Sequence, residues 1–203
     1  MKKPLAFYPI ILLLLVSLIH TLTGCDSSLR EKQKQEIEVY KQAIRINPDD
    51  ADAHCNLGRV YGKSGMWQEA IEACKQAIRI KPDFAKAHFY LGHAYQDANM
   101  DTKATQSYKL ALELFKQAVR INPDDADAHF YLGGVYTASH MWKEAIESFK
   151  QAIKIKPDDA DAHFSLGASY LILKDRGSAI EQYKILKSLD SELANELFNL
   201  IYE

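Results

Sequence analysis

The string Ala-x-Ala-His occurs four times in the chain at nearly regular spacing. The copies are Ala51–His54, Ala85–His88, Ala126–His129 and Ala160–His163; the first and third intervals are equal, and the second is one heptad longer. Each copy follows a loop that contains a proline. A period of roughly 34 residues is typical of repeat proteins, in which each unit stacks on its neighbours to bury its apolar face. The sequence therefore predicts a stack with a long concave surface, which suits binding better than catalysis.

Each repeat carries the pattern of two α-helices. In the first full repeat, apolar and small residues recur along residues 54–61 at i, i+3, i+4 and i+7, which marks one helix face. Asp50 stands at the N-cap position, and Gly65 can take the left-handed conformation that ends a helix. A second apolar stripe follows over residues 70–80, and Pro82 ends it because proline lacks a backbone donor.

These motifs resemble the tetratricopeptide repeat family, whose pattern is W-x2-L-G-x2-Y, then A-x3-F, then P. The matching residues are Leu57, Gly58, Tyr61, Ala70 and Pro82 in the first repeat; Leu91, Gly92, Tyr95 and Ala104 in the second; Leu132, Gly133, Tyr136, Ala145, Phe149 and Pro157 in the third; and Leu166, Gly167, Tyr170, Ala179 and Tyr183 in the fourth. Histidine replaces the leading tryptophan in every copy. The resemblance implies an all-α fold, an α-solenoid of stacked antiparallel helix pairs.

The motif positions predict the divisions of the chain. Residues 26–50 would form a short linker and half a repeat, and residues 194–203 a C-terminal capping helix. The four repeats are predicted to span residues 51–84, 85–125, 126–159 and 160–193. The second repeat is longer because residues 108–114 and 115–121 are a duplicated heptad. Seven residues are almost two helical turns, so the insertion rotates the apolar stripe by only ~20°.

Residues 1–25 have the features of an export signal. Lys2 and Lys3 precede an apolar run over residues 10–19, which is shorter than a membrane-spanning helix usually needs. The sequence Leu-Thr-Gly-Cys then ends at Cys25 and resembles the lipobox of bacterial lipoproteins. This resemblance implies cleavage before Cys25, with diacylglycerol on its sulfur and acyl chains that anchor the protein stably. A plain signal peptide or an uncleaved anchor with an incidental cysteine is the alternative.

The location expected for the repeats is outside the cytoplasmic membrane, on the periplasmic side of the inner or outer membrane. Asp26 follows the candidate lipidated cysteine and resembles an inner-membrane retention signal of enterobacterial lipoproteins, which favours the inner membrane. Without residues 1–25, 23 basic residues stand against 27 acidic ones. This mildly acidic balance gives no reason to expect nucleic acid as a partner.

The resemblance also implies that the first helices of the repeats line a concave groove. The residues predicted to line it are Arg59, Lys63, Lys86, Phe89, His93, Asp127, Phe130, Asp161, Phe164 and Leu171. An aromatic floor with an acidic rim at Asp127 and Asp161 would favour a ligand with apolar residues beside lysine or arginine. The aromatic row has a second interpretation, which is packing between neighbouring first helices.

Some members of the family hold a C-terminal carboxylate with a clamp of lysine, asparagine and arginine. The corresponding positions here are Cys55, Arg59, Tyr90, Asp127 and Tyr131. These residues do not support that mode of binding.

Neither a metal site nor an enzyme is predicted. The four repeated histidines lie on different helix pairs, roughly 10 Å apart, whereas metal–ligand bonds measure ~2 Å. We therefore expect them to replace an aromatic residue at a packing position. Cys55 and Cys74 could form a disulfide in an exported domain, but independent small substitutions at aromatic positions are the favoured interpretation. Motifs of nucleophilic, metal-dependent or phosphate-binding catalysis are absent from the sequence, and no cofactor is expected.

The sequence thus favours a non-catalytic scaffold at the bacterial cell envelope, bound to the membrane by a lipid and to another protein or peptide by the groove. Three other roles remain open at this stage. They are an assembly factor for an envelope machine, comparable to a pilotin or an outer-membrane complex lipoprotein; a recruiter of an envelope hydrolase; and a structural array that self-associates. The oligomeric state and the partner's identity do not follow from the sequence.

Overall fold

The structure, a computed structural model, describes residues 30–203, and every regular element in that range is an α-helix. Residues 30–46 are helical and are called α1. The following helices are α2 (Ala51–Lys63), α3 (Trp67–Ile80), α4 (Ala85–Asp97), α5 (Asp101–Ile121), α6 (Ala126–Ala138), α7 (Trp142–Ile155), α8 (Ala160–Ile172), α9 (Arg176–Leu189) and α10 (Ser191–Tyr202). Consecutive helices pack in antiparallel pairs, which confirms the predicted α-solenoid.

Aspartate side chains cap the N-termini of three of the four first helices. Asp50, Asp125 and Asp159 each accept a hydrogen bond from the backbone N–H three residues later, at 2.9 to 3.1 Å. These bonds satisfy a donor that the first turn of a helix leaves unpaired. Phe84 takes the same place before α4 without a side-chain cap and packs instead among Cys55, Ala77 and Ala87.

A left-handed residue makes the turn between the two helices of each repeat. Gly65 has a φ of 72°, as the sequence predicts, and Asn99, His140 and Lys174 occupy the same place with φ between 57° and 61°. Left-handed backbone is uncommon for residues that carry a Cβ. Because the turn recurs in all four repeats, the helix pairing imposes it whatever residue stands there.

The two helices of a repeat approach closely where a glycine on the first faces an aromatic ring on the second. A Cβ on Gly92 would lie 2.5 Å from the Tyr108 ring, and one on Gly133 would lie 2.7 Å from the Phe149 ring. Such contacts are too short for any residue but glycine. In the first repeat a smaller residue, Cys74, takes the place of the ring.

The duplicated heptad lengthens one helix and leaves its stripe in register. Helix α5 has 21 residues, whereas α3, α7 and α9 have 14 each. Each heptad copy contributes one buried ring: Tyr108 packs on Gly92, and Phe115 stacks on Tyr131 of α6 with ring centroids 5.5 Å apart. The predicted lengthening by two turns is therefore confirmed.

The capping helix begins earlier than the motif boundary at residue 194 suggests. The Asp190 side chain accepts hydrogen bonds from the backbone N–H groups of Glu192 and Leu193, at 2.9 and 3.0 Å. This cap starts α10 at Ser191. The residues of α10 that pack inward are Ala194, Leu197 and Ile201. Phe198 and Leu200 are exposed.

Candidate functional site

The first helices of the four repeats enclose a groove of about 750 Å³ on one side of the stack, called here the concave groove. Seven of the ten residues predicted to line it do so: Arg59, Lys63, Phe89, His93, Phe130, Asp161 and Phe164. They are placed there because the first helices repeat the same face at equivalent positions. The other three predicted residues, Lys86, Asp127 and Leu171, lie elsewhere.

Lys86 and Asp127 form an ion pair with each other outside the concave groove. The Lys86 Nζ lies 2.9 Å from Asp127 Oδ2 and 4.8 Å from the centre of the Tyr131 ring. Burial alone would lower the pKa of Lys86, but the hydrogen bond to Asp127 and the nearby charges outweigh it and raise that pKa. The pair joins α4 to α6, so Asp127 does not form the expected acidic rim.

Leu171 packs into the C-terminal core instead of lining the groove. It packs against a buried cluster whose members include Leu186 and Leu197. One residue later the helix has turned by about 100°, so Ile172 lines the groove and is 49 % exposed. The sequence stripe therefore identified the correct turn of α8 but the wrong residue.

The aromatic floor of the groove is partly core. Phe89 is only 9 % exposed and packs across α4 and α6, where a Cβ on Gly134 would lie 3.0 Å from its ring. Phe130 lies 5.8 Å from Phe149 between ring centroids, and Phe164 contacts the C-terminal core. Phe130 and Phe164 are half-buried, so the packing interpretation of the aromatic row accounts for much of their surface.

A pair of tyrosine hydroxyls crosses the groove floor. The hydroxyl oxygens of Tyr90 and Tyr131 are 2.8 Å apart and bridge α4 to α6. Burial raises the pKa of Tyr90, and the neighbouring Tyr131 raises it further, so the hydroxyl stays protonated. The two tyrosines occupy equivalent positions in consecutive repeats, and that equivalence is the sequence signal that could have identified them as a pair.

Side-chain size changes along the groove at two equivalent positions. One position holds Arg59, His93, Gly134 and Ala168 in successive repeats, and another holds Lys63, Asp97, Ala138 and Ile172. The Phe89 ring covers Gly134, but Ala138 and Ala168, together with Trp142 and Ile172, line an apolar hollow in the third and fourth repeats. The hollow could not be predicted from the sequence because it is space that side chains leave empty.

Charge is unevenly distributed along the groove. Arg59 and Lys63 stand one helical turn apart at the α2 end, and Asp161 stands at the α8 end; within residues 30–203 none of the three makes an ion pair. His93 is solvent-exposed, but the surrounding groove limits hydration of the ring and lowers its pKa, while Asp97 opposes the shift. The imidazole is neutral at pH 7, so Arg59 and Lys63 supply the positive charge.

The four repeated histidines fasten the first helices to the proline loops. The ring Nε2 of His54, His88, His129 and His163 lies 2.9 to 3.0 Å from the carbonyl oxygen of Pro48, Pro82, Pro123 and Pro157, respectively. A carbonyl only accepts, so each Nε2 carries the proton and donates. The histidines are thus structural, and a hydrogen bond that the sequence analysis did not foresee explains why they are not phenylalanine. Residues 30–203 bring together no group of three or more metal-binding side chains.

Cys55 and Cys74 are buried free thiols in the structure. Burial raises the pKa of Cys55 to about 12, and burial also raises the pKa of Cys74. Neither thiol is therefore poised as a nucleophile at neutral pH.

A second cleft lies beside the concave groove. This cleft measures about 540 Å³ and lies between the first turns of α5 and the turn at Ser139 and His140. Gln96, Ala138 and His140 line both cavities, so the two are adjacent.

Cys25 and the rest of residues 1–29 lie outside the described residues, and the predicted lipidation site with them. None of the helices within residues 30–203 combines the length and the apolar character needed to cross a bilayer.

Similar solved structures share the repeat architecture. TTC0263, described as a thermophilic TPR protein in Thermus thermophilus, is 24 % identical, with 89 % of this chain and 96 % of that chain covered and a TM-score of 0.68. YrrB, described as a TPR protein with an unusual peptide-binding site, is 24 % identical over 85 % of this chain and 86 % of that chain, with a TM-score of 0.49. MamA from Desulfovibrio magneticus RS-1 is 21 % identical over 85 % and 96 %, with a TM-score of 0.49. At these identities the likeness concerns the fold.

Family models identify the repeats directly. The model described as "TPR repeat" matches residues 29–65, 103–139 and 135–173, which is more than half of the chain, and the model described as "Tetratricopeptide repeat" matches residues 51–84. No curated protein sequence matches the chain significantly. The helix pairs, the glycine–aromatic contacts and these matches together lead to one conclusion: the chain belongs to the tetratricopeptide repeat family.

Proposed function

We propose that the protein is a non-catalytic scaffold, anchored by a lipid at a bacterial envelope membrane, whose concave groove binds a segment of a partner protein. Proteins of this family are generally non-catalytic modules that bind protein or peptide partners. The observation that carries the proposal is the groove itself. Its unpaired cations and its apolar hollow both face solvent, and both are features that a bound chain would cover.

A crosslinker placed in the groove tests partner binding. We expect p-benzoylphenylalanine at Ile172, which lines the groove, to give a discrete adduct on irradiation of cells that make the full chain. The matched control is Ile121, which is 76 % exposed at the end of α5 and does not line the groove. The same crosslinker at Ile121 should not give that adduct. Absence of an adduct at Ile172, or the same adduct from both positions, contradicts the groove as the binding site.

The lipid anchor has its own test. Replacing Cys25 by serine is expected to release the protein from membranes or to leave an uncleaved precursor, because serine has no thiol to carry diacylglycerol. Membrane fractionation and gel mobility measure both outcomes. A Cys25→Ser protein that fractionates and migrates as the wild type does would rule out lipidation at this residue. Density-gradient fractionation also tests the inner-membrane assignment, which recovery with the outer membrane would reject.

A further inference from the structure

We infer that the partner segment carries an acidic residue and a large apolar side chain about six or seven residues apart, the acid facing Arg59 and Lys63 and the apolar group filling the hollow between α6 and α8. The inference rests on the proposed function of the concave groove and specifies the chemistry of its ligand.

The α2 end of the groove supplies the site for the acid. Arg59 and Lys63 are four residues apart on one helix face, so the two like charges repel each other mildly. Asp97 lies at the same end but forms an ion pair with neither of them. Because Lys86 and Asp127 neutralise each other elsewhere, Arg59 and Lys63 are the fixed cations of the groove. A carboxylate is the protein group that complements such a pair.

The hollow supplies the site for the apolar side chain. Its walls include the methyl groups of Ala138 and Ala168, and its rim carries Trp142 and Ile172. All four of these side chains are uncharged. A leucine, phenylalanine or tryptophan side chain of the partner would bury apolar surface on both sides of the contact, which is how aromatic and aliphatic anchors contribute most of the affinity at such sites.

The distance between the two sites sets the spacing in the ligand. Neighbouring packed helices are about 8–10 Å apart, and the hollow lies between the second and third step from α2 along the first helices, so the span is roughly 20–25 Å. An extended chain advances about 3.3–3.6 Å per residue, and six or seven residues cover this distance. The same spacing holds for either direction of the partner chain.

The fluorescence emission of Trp142 reports whether the hollow is filled. The chain has two tryptophans, Trp67 and Trp142, and only Trp142 lines the groove. In a Trp67→Phe background, emission therefore reports the environment at the rim of the hollow. Binding of an apolar side chain there should shift the emission maximum, whereas binding on the convex face should leave it unchanged.

The test uses a displayed library of random 12-residue peptides, selected on the full chain in detergent. We expect selected peptides to be enriched in aspartate or glutamate and in a large apolar residue six or seven positions away. A synthetic peptide from the pool should shift Trp142 emission, and fluorescence anisotropy should show at least a tenfold weaker Kd for Arg59→Glu with Lys63→Glu. The matched control, Lys75→Glu with Arg79→Glu, reverses two exposed charges at the same spacing on α3 and should change Kd less than twofold.

Filling the hollow tests the apolar contact. Ala168→Trp should weaken binding at least tenfold. Circular dichroism shows whether this variant folds. If it does not, Ile172→Asp takes its place, since it alters only an exposed rim residue, and it should also weaken binding at least tenfold. Peptides that shift Trp142 emission but lack the acid–apolar pair overturn the inference and leave groove binding intact. Peptides that neither shift Trp142 emission nor respond to the groove substitutions contradict the proposed function itself.

Discussion

Replacing Gly133 by alanine is expected to destabilise the protein by about 1–3 kcal/mol, although alanine is the better helix former. The new Cβ would lie 2.7 and 2.8 Å from two carbon atoms of the Phe149 ring, which is 2 % exposed and cannot move into solvent. Overpacking of this kind outweighs the gain of about 1 kcal/mol in helix propensity. Thermal and urea unfolding, monitored by far-ultraviolet circular dichroism, measure the change.

Gly62→Ala is the matched control because its Cβ would have no neighbour within 4 Å. That substitution should stabilise the protein by about 0.5–1 kcal/mol through helix propensity alone. Combining Gly133→Ala with Phe149→Leu should restore about 1 kcal/mol relative to the sum of the single changes, since the smaller side chain makes room. If Gly133→Ala were as stable as Gly62→Ala, the close approach of α6 and α7 would be wrong.

Replacing Leu197 by alanine is expected to cost about 2–5 kcal/mol of stability at the end of the array. Leu197 is fully buried, and it fills the space in front of Gly167, where a Cβ would lie 2.6 Å from its Cδ2. Its removal would leave a cavity between α8 and α10 that the helices cannot close without moving. Leu200→Ala is the control, because Leu200 is 46 % exposed and its loss should cost less than about 0.5 kcal/mol.

The effect of Leu197→Ala should also be local. Each repeat of a solenoid contacts only its neighbours, so a weakened end opens before the rest of the stack. Amide hydrogen exchange should therefore accelerate in α8, α9 and α10 and remain near the wild-type rate in α2 and α3. Uniform acceleration along the chain would show that the array unfolds as one cooperative unit.

The helices and their pairing could be predicted from the sequence because the determinants are local and repeated. The apolar stripes, the Asp50 cap and the Gly65 turn each depend on a few adjacent residues, and the structure contains all of them. The effect of the duplicated heptad was predictable for the same reason, since it depends only on the helical period.

The details of the groove depended on contacts between residues far apart in sequence. The stripe put Lys86 and Asp127 on one face, but a stripe alone does not assign partners. Their shared repeat position could have suggested the pair, as it could for Tyr90 and Tyr131. The sequence predicts Leu171 in the groove, and the structure has Ile172 there. The two are adjacent residues of one helix, and an apolar stripe does not distinguish between them. Predicting the hollow requires knowing which space the neighbouring helices leave empty, and the sequence alone does not give that.

The longer α5 has a consequence for how this protein can vary in length. Adding or removing seven residues turns a helix face by only about 20°, whereas three residues turn it by about 60° and four by about 40°. A second helix can therefore gain or lose a whole heptad while its buried rings stay buried, as Tyr108 and Phe115 do. Insertions of three or four residues would turn those rings two to three times as far from the core. Among insertions of ten residues or fewer, a heptad is therefore the one that disturbs the buried face least, so a second helix can lengthen by this unit while the residues of its core stay the same.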